Sequence, residues 1–203
     1  SEKERHMTLP YYEDPKYWSG EMNQRPGFVR TPYGDFLHNP YKAACIKYIL
    51  DTGVYRVAPR RVLDAGCAMG YLVRWLRRLG VDAWGVDISD YATSRAPEEV
   101  RPFITRAPLT ALPYPDKEFD FVVSTGVLEH FEGEELETVI AELDRVSYGG
   151  YLAITLKGDP GAAEDRNHPT LLTQEQWEAI VPSGFIVRSD ANEFWTGAYN
   201  TIP

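Results

Sequence analysis

The chain has 203 residues, of which 43% are hydrophobic and 13% aromatic, and these values predict one soluble globular domain with a sizeable core. Its formal charge of −9 and pI near 5.0 argue against a surface that follows nucleic-acid phosphates. No apolar run approaches the roughly 18 residues of a membrane span, and the first seven residues are charged, unlike a signal peptide. Cys45 and Cys67 have no metal-ligand spacing and no framework of partners, so we expect both to be reduced, in a cytoplasmic protein.

Residues 8–40 are rich in Pro, Tyr, Gly and Trp. This composition favours short turns over long helices, yet the aromatic side chains require burial. The sequence therefore predicts an extension over residues 1–40 that lies against a domain formed by residues 41–203. The alternative is that these aromatic residues form only a small satellite cluster.

A helix is predicted over residues 40–55, with Asn39 as its cap, Pro40 at its first position and Gly53 after its end. From residue 61 short apolar strands alternate with helical segments, which predicts a parallel sheet covered on both faces. The predicted strands are 61–65, 82–87, 101–105, 119–124, 149–156 and 185–191, and the predicted helices are 70–79, 89–95, 133–146 and 173–181. Prolines make the third unit irregular.

The most informative stretch joins the first of these strands to its helix through a glycine-rich turn, residues 64–70. Gly66 and Gly70 allow a sharp turn and a close approach of the backbone to a ligand. The following helix N-terminus offers unpaired N–H groups. Because many parallel α/β proteins carry glycine here only for packing, the turn alone indicates either a ligand site or close packing.

A second acidic strand end supports a ligand site. Asp87 closes the next apolar run, a little over twenty residues after Asp64, which is the separation expected between a glycine turn and an acid that binds ribose hydroxyls. The alternative is a helix cap, a role for which Ser89 and Asp90 compete.

Four segments in this order resemble the class I S-adenosylmethionine-dependent methyltransferases of the small-molecule type: VLDAGCAMG, GVDIS, ALPYPDKEFDFVVSTGVLEHF and GGYLAITLKG. They span most of residues 60–160. The resemblance implies a Rossmann-like parallel or mixed sheet of six to seven strands, with helices on both faces and an N-terminal aromatic lid. It also implies S-adenosylmethionine as cofactor and S-adenosylhomocysteine as product.

The resemblance further implies that Gly66, Ala68 and Gly70 pass beneath the amino-acid and ribose parts of the cofactor. Asp87 would hold the ribose hydroxyls, and Asp64 would lie near the methionine ammonium. The remaining implied cofactor contacts follow the same strand ends: Cys67, Ile88, Ala107, Pro108, Leu109, Ser124, Thr125 and Gly126.

Two positions depart from the family pattern. Ala68 stands where glycine is common, a tolerated change. Pro108 stands where an acidic residue often binds the adenine amino group. Since proline has no such side chain, backbone groups of Ala107 or Leu109 become the candidates for that contact.

Candidate catalytic residues come from two loops. His130 follows the fourth strand and is attractive as a base because imidazole titrates near neutrality, although the equivalent histidine in the family is often structural. His168 and Asp165 belong to a polar loop after the fifth main strand, which would lie over the same crevice or be only a solvated loop. The candidate lid residues that would shape the substrate site are Tyr11, Tyr17, Trp18 and Tyr33. No metal is expected.

The sequence therefore predicts a methyltransferase that moves a methyl group to oxygen or nitrogen of a small-molecule acceptor by in-line displacement. No nucleic-acid or membrane partner is expected. A peptide or protein acceptor, and a partner subunit that binds the cofactor without turnover, remain alternatives. A nicotinamide dehydrogenase is disfavoured because Gly66 and Gly70 do not fit G-x-G-x-x-G spacing.

Overall fold

The structure, a computed structural model, describes residues 12–19, 38–52, 61–159, 162 and 168–190. Its α-helices are α1 Pro15–Ser19, α2 His38–Asp51, α3 Tyr71–Arg78, α4 Asp90–Thr93, α5 Gly133–Val146 and α6 Gln174–Ile180. Its strands are β1 Arg61–Ala65, β2 Asp82–Asp87, β3 Ile104–Arg106, β4 Phe121–Thr125, β5 Gly150–Ile154 and β6 Phe185–Ser189. None of the helices in these ranges has both the length and the hydropathy of a membrane span.

The six strands form one sheet in the order β3-β2-β1-β4-β5-β6. Every neighbouring pair is parallel, so the predicted parallel sheet is confirmed. The strand order reverses between β1 and β4. In open sheets of this kind ligands bind beyond the carboxyl ends of the strands at that reversal, which places the expected crevice above Ala65 and Thr125.

Both faces of the sheet are covered, as the near-continuous buried runs of β1, β4 and β5 indicate. Val62 of β1 belongs to the core that packs under α2 and α3. Its neighbour Leu63 belongs to the opposite core, which includes Trp177 of α6 and Val139 of α5. The predicted two-faced arrangement is therefore confirmed.

The start of α6 follows a local sequence signal, whereas the start of α2 does not. α6 begins with a capping box, in which Thr173 Oγ1 accepts the backbone N–H of Gln176 and the Gln176 side chain accepts the backbone N–H of Thr173. α2 buries Ala43, Ile46 and Leu50 at helical spacing. However, α2 begins at His38, so the predicted cap at Asn39 is wrong, and it ends at Asp51.

The third unit is as irregular as its prolines predict. A single 3₁₀ turn, Arg101–Phe103, precedes β3, which is only three residues long. The preceding helix α4 covers Asp90–Thr93 rather than 89–95. The strand edge at β3 is therefore the least regular part of the sheet.

Candidate active site

The glycine turn after β1 adopts a backbone that few residues accept. Gly66, Ala68 and Gly70 all have positive φ, at 84°, 51° and 71°. A Cβ atom at Gly66 would overlap the side chain of Val127, and one at Gly70 would lie 2.8 Å from Ile104 Cδ1. Both glycines are therefore needed for conformation and for space, and the turn lies in direct contact with the segment after β4.

Asp87 holds this turn from the end of β2. One carboxylate oxygen accepts the backbone N–H of Ala68 at 2.8 Å, and the other accepts that of Ser89 at 2.9 Å. The cap of α4 is instead Ser89, whose hydroxyl oxygen accepts the N–H of Ala92. Since a carboxylate oxygen has more than one acceptor position, Asp87 retains capacity for ligand hydroxyls while it fixes the turn.

Asp64, at the end of β1, is a buried carboxyl with 3% of its surface exposed. Burial raises its pKa to about 7, while Lys42 of α2 lowers the pKa and the negative charge of Asp87 raises it further. Burial also raises the pKa of Asp87, against the two backbone donors that lower it. Two carboxyls this close to the crevice favour a positively charged ligand.

Two residues that were predicted to contact the cofactor have side chains that pack or form hydrogen bonds within the protein. The Cys67 thiol packs against Gly85 within the core, and burial raises its pKa well above the ordinary thiol value, so it stays a neutral thiol. Ser124 donates its hydroxyl to the carbonyl of Ala65 at 2.9 Å, which joins β4 to β1. Only the backbone of these residues remains for a ligand.

One backbone N–H group of the loop predicted to bind adenine already forms a hydrogen bond within the protein. Ala107 N–H donates to the carbonyl of Asp87 at 3.0 Å, so it serves the sheet edge. Arg106 donates to the carbonyl of Ile88 at 3.2 Å. The missing acidic side chain would accept a hydrogen bond from the adenine amino group, so a backbone carbonyl of Ala107 or Leu109 would have to replace it, and the side chain of Leu109 is buried in the core.

Residues 12–19 lie against the same end of β2. The carbonyl of Tyr12 accepts hydrogen bonds from the Ser89 hydroxyl at 2.8 Å and from the Trp18 indole at 2.7 Å. Glu13 accepts the backbone N–H groups of Asp90 and Tyr91 at the start of α4, a favourable place for a negative charge. The N-terminal segment is thus attached directly beside Asp87.

Two of the predicted lid residues are in this segment. Trp18 is buried with Ala68 and Met69 of the glycine turn, and Tyr17 packs against the same cluster. The other two, Tyr11 and Tyr33, lie outside the described residues. The lid role of all four stays a prediction.

The segment after β4 contains a carboxyl that the sequence interpretation overlooked. Glu129 is fully buried; its Oε1 accepts the backbone N–H of Thr155 at 3.0 Å, and its Oε2 has no hydrogen-bond partner among the described residues. Burial raises the pKa of Glu129 to about 7, and the charge of Asp190, directly after β6, raises it further. Asp190 in turn pairs with Lys42 at 3.5 Å.

The two predicted catalytic histidines lie next to each other. The ring centroids of His130 and His168 are 4.8 Å apart, and the ring planes are tilted by 55°. Thr170 fixes this contact by donating its N–H to the carbonyl of Glu129 and its hydroxyl to that of Phe131. The third candidate, Asp165, lies outside the described residues. Among the described residues no group of three or more potential ligands could hold a metal ion.

Sequence reasoning missed Glu13, Lys42, Glu129 and Asp190. Glu129 lies inside a quoted motif and five residues after the predicted strand 119–124, so its position was a usable signal. The contacts of Glu13 with α4 and of Lys42 with Asp190 span 77 and 148 positions. No local pattern reports contacts of that separation.

Comparison with known proteins agrees with this geometry. Residues 63–154 match a family described as a methyltransferase domain. These residues include the glycine turn, Asp87 and the segment after β4.

Residues 63–154 form a class I S-adenosylmethionine-dependent methyltransferase domain.

The methyltransferase domain has a curated relative in Halorhodospira halophila (strain DSM 244 / SL1), a malonyl-[acyl-carrier protein] O-methyltransferase. The two are 41% identical over 98 residues, which are 45% of this chain and 32% of the relative. The chain therefore spans about a third of the length of this curated relative.

Solved structures share the fold at low identity. One, from work on the conversion of a disulfide bond into a thioacetal group during echinomycin biosynthesis, is 23% identical, covers 85% of this chain and 76% of its own, and has a TM-score of 0.60. An S-adenosylmethionine-dependent methyltransferase from Archaeoglobus fulgidus is 22% identical, covers 68% and 66%, and has a TM-score of 0.53. The predicted Rossmann-like fold is thereby confirmed.

The cofactor of the methyltransferase domain is S-adenosylmethionine, and the residues present fit it. The turn from Gly66 to Gly70 leaves no side chain between the backbone and the crevice at its glycines. Asp87 retains acceptor capacity for ribose hydroxyls. Asp64 offers a buried carboxyl to an ammonium group.

Proposed function

We propose that the chain transfers a methyl group from S-adenosylmethionine to an oxygen or nitrogen atom of a small-molecule acceptor. The observation that carries the proposal is the arrangement at the strand-order reversal, where the turn from Gly66 to Gly70 lies between the carboxyls of Asp64 and Asp87. Asp64 and Asp87 make this edge electronegative. An electronegative edge favours a sulfonium cation over its neutral thioether product.

The chemistry requires alignment more than acid or base strength. The cofactor supplies an electrophilic methyl carbon bonded to a sulfonium sulfur. The task of the chain is to hold the acceptor in line with that bond and to exclude water. Residues 12–19, attached at Ser89 and packed on Ala68, support a covering role for the N-terminal segment.

The acceptor loses a proton during or after the transfer. The sequence assigned this step to His130, His168 and Asp165, and the contact between the two imidazole rings supports the histidine pair. We retain the pair as the route by which the proton leaves toward solvent, because imidazole exchanges protons near neutral pH. Exchange of either histidine for Gln then slows turnover without weakening cofactor binding.

The curated relative acts on a malonyl group carried by an acyl carrier protein, as its name states. The family match, residues 63–154, does not include residues 12–19 or 168–190. We therefore infer the acceptor of this chain from its own residues and not from the relative. A peptide acceptor remains the alternative in this proposal.

Two measurements test the function. Titration calorimetry should show binding of S-adenosylmethionine and of S-adenosylhomocysteine, and no comparable binding of NAD. Incubation with methyl-labelled cofactor and fractionated metabolites should place label in small molecules. Binding without incorporation into small molecules or peptides would identify a non-catalytic binding subunit, and absence of binding would overturn the proposal.

A further inference from the structure

The crevice has two halves, one on each side of the strand-order reversal. The β1–β2 half carries Asp64 and Asp87 and the glycine turn. The other half lies over the ends of β4, β5 and β6, where Glu129 and Asp190 follow the strands. Val127 joins the halves, because its side chain lies against Gly66. A group bound beside Glu129 is therefore a close neighbour of one bound in the turn.

Glu129 shows the features of a binding group rather than of a core residue. Its carboxyl is fully buried, and the backbone N–H of Thr155 holds Oε1 in place. Oε2 has no partner among the described residues. A buried carboxyl oxygen without a hydrogen bond is costly, so its retention here indicates a ligand that supplies the missing donor.

Asp190 and Gly126 lie near the other oxygen of this carboxyl. A Cβ atom at Gly126 would be 3.7 Å from Asp190 Oδ2 and 4.0 Å from Glu129 Oε1. The two carboxyls therefore lie beside the same stretch of backbone, at a residue that has no side chain. Lys42 contacts Asp190, with side chains 17% and 27% exposed.

We propose that Glu129 and Asp190 bind the methyl acceptor, and that the acceptor presents an N–H or O–H group, as an amine or a hydroxyl compound does, rather than a carboxylate. The inference rests on the proposed function. A carboxylate acceptor would bring a further negative charge beside Glu129, Asp190 and Asp64, whereas an N–H or O–H group satisfies the buried oxygen of Glu129.

The chemical step balances without another reactant. The lone pair of the acceptor nitrogen or oxygen forms the bond to the methyl carbon as the carbon–sulfur bond breaks. The electrons of that bond remain on sulfur, which becomes a neutral thioether. The proton of the acceptor passes to the ionised carboxylate of Glu129, whose backbone carbonyl accepts the N–H of Thr170.

Binding of the cofactor analogue sinefungin tests the site even though the acceptor is unidentified. In sinefungin a charged amine takes the place of the transferred methyl group. We expect the full chain to bind sinefungin more tightly than S-adenosylhomocysteine, and we expect Glu129→Gln to reduce this preference at least about tenfold. The matched control is Glu137→Gln on the exposed face of α5, which should leave the preference unchanged. Asp190→Asn, at a partly exposed position, provides a second variant if Glu129→Gln does not fold.

The outcomes separate the two proposals. If S-adenosylhomocysteine does not bind the unmodified chain, the proposed function fails. If it binds and the preference for sinefungin is the same in all variants, the assignment of Glu129 and Asp190 is overturned while the function stands. Treatment of the labelled products with mild base decides the acceptor class. Labelled methyl groups that are stable to base support an amine or hydroxyl acceptor. Release of volatile labelled methanol, as from a carboxyl ester, contradicts an amine or hydroxyl acceptor.

Discussion

One carboxylate oxygen of Asp87 accepts the backbone N–H of Ala68 at 2.8 Å, across 19 positions of the chain. The acid at the end of β2 therefore shapes the glycine turn before any ligand is bound. The second oxygen performs a similar task for Ser89 at the start of α4. Loss of this carboxylate thus affects the turn, the helix start and the ribose contact together.

Replacement of Asp87 tests this combined role. We expect Asp87→Ala to weaken binding of S-adenosylhomocysteine by roughly ten- to a hundredfold, because charge-assisted hydrogen bonds are each worth about 1.5–3 kcal/mol. Calorimetric titration measures the change. Asp82→Asn, which alters the acid at the other end of the same strand, is the control. Equal affinity of Asp87→Ala and the unmodified chain would show that ribose is held elsewhere.

A methyl group at Gly66 should disturb the fold as well as the site. Gly66→Ala introduces a Cβ atom that overlaps Val127 at a φ of 84°, so we expect it to lower the free energy of unfolding by about 2–4 kcal/mol. Gly80→Ala has a similar φ of 82° but nothing within 4 Å, and should cost only about 1 kcal/mol. Urea denaturation compares the two variants. If they are equally stable, the contact with Val127 is unimportant.

The buried carboxyls Asp64 and Glu129 predict a specific pH dependence of stability. Burial raises the pKa of each from its ordinary value near 4 to about 7. Between these values the unfolded chain has lost the proton and the folded chain keeps it. The contribution of each group to the free energy of unfolding is therefore highest at acid pH and falls as the pH rises toward 7, by on the order of 3 kcal/mol.

Chemical denaturation of variants at pH 5 and pH 7.5 measures this contribution. Asp64→Asn and Glu129→Gln should gain stability relative to the unmodified chain on going from pH 5 to pH 7.5. Asp144→Asn, at a half-exposed position of α5, should track the unmodified chain at both pH values. A difference that is independent of pH would show that neither carboxyl keeps its proton in the folded state.

Glu13 offers a test of the attachment of residues 12–19. Glu13→Gln removes the negative charge that meets the N–H groups of Asp90 and Tyr91, so we expect faster proteolysis before residue 19 and cofactor binding weaker by several-fold. Limited proteolysis and calorimetry measure both effects. Glu98→Gln, at an exposed position after α4, serves as the control. Unchanged cleavage would mean that the hydrogen bonds of Tyr12 suffice.

The parts of the fold that the sequence predicted are those with local causes. The alternation of short apolar strands with helical segments predicted the sheet, and the spacing of Gly66 and Gly70 predicted the turn, because hydrophobic patterns and glycine conformations act within a few residues. The start of α2 at His38 lies two residues before the predicted first position, Pro40, a difference within the range by which helix ends vary.

In the candidate site, as in the fold, the residues that were predicted are those with a local sequence signal. Asp64 and Asp87 were predicted because each closes a strand, and His130 and His168 were predicted by residue type. Their mutual contact was not, because 38 positions separate them and no local pattern reports contacts of that separation. Glu129 was not predicted, and its neighbour His130 was chosen instead. The burial of Glu129 and the missing partner of its Oε2 become visible only in three dimensions.

Lys42 and Asp190 lie 148 positions apart and both fall outside residues 63–154, the stretch shared with the methyltransferase family. Their pairing brings the segments before and after the shared stretch to one wall of the crevice. We expect these flanks to contribute to acceptor choice together with Glu129, which lies inside the shared stretch. A chimera that carries both flanks of another member on residues 61–159 should therefore shift acceptor preference toward that member, whereas a chimera with one flank should lack a complete wall.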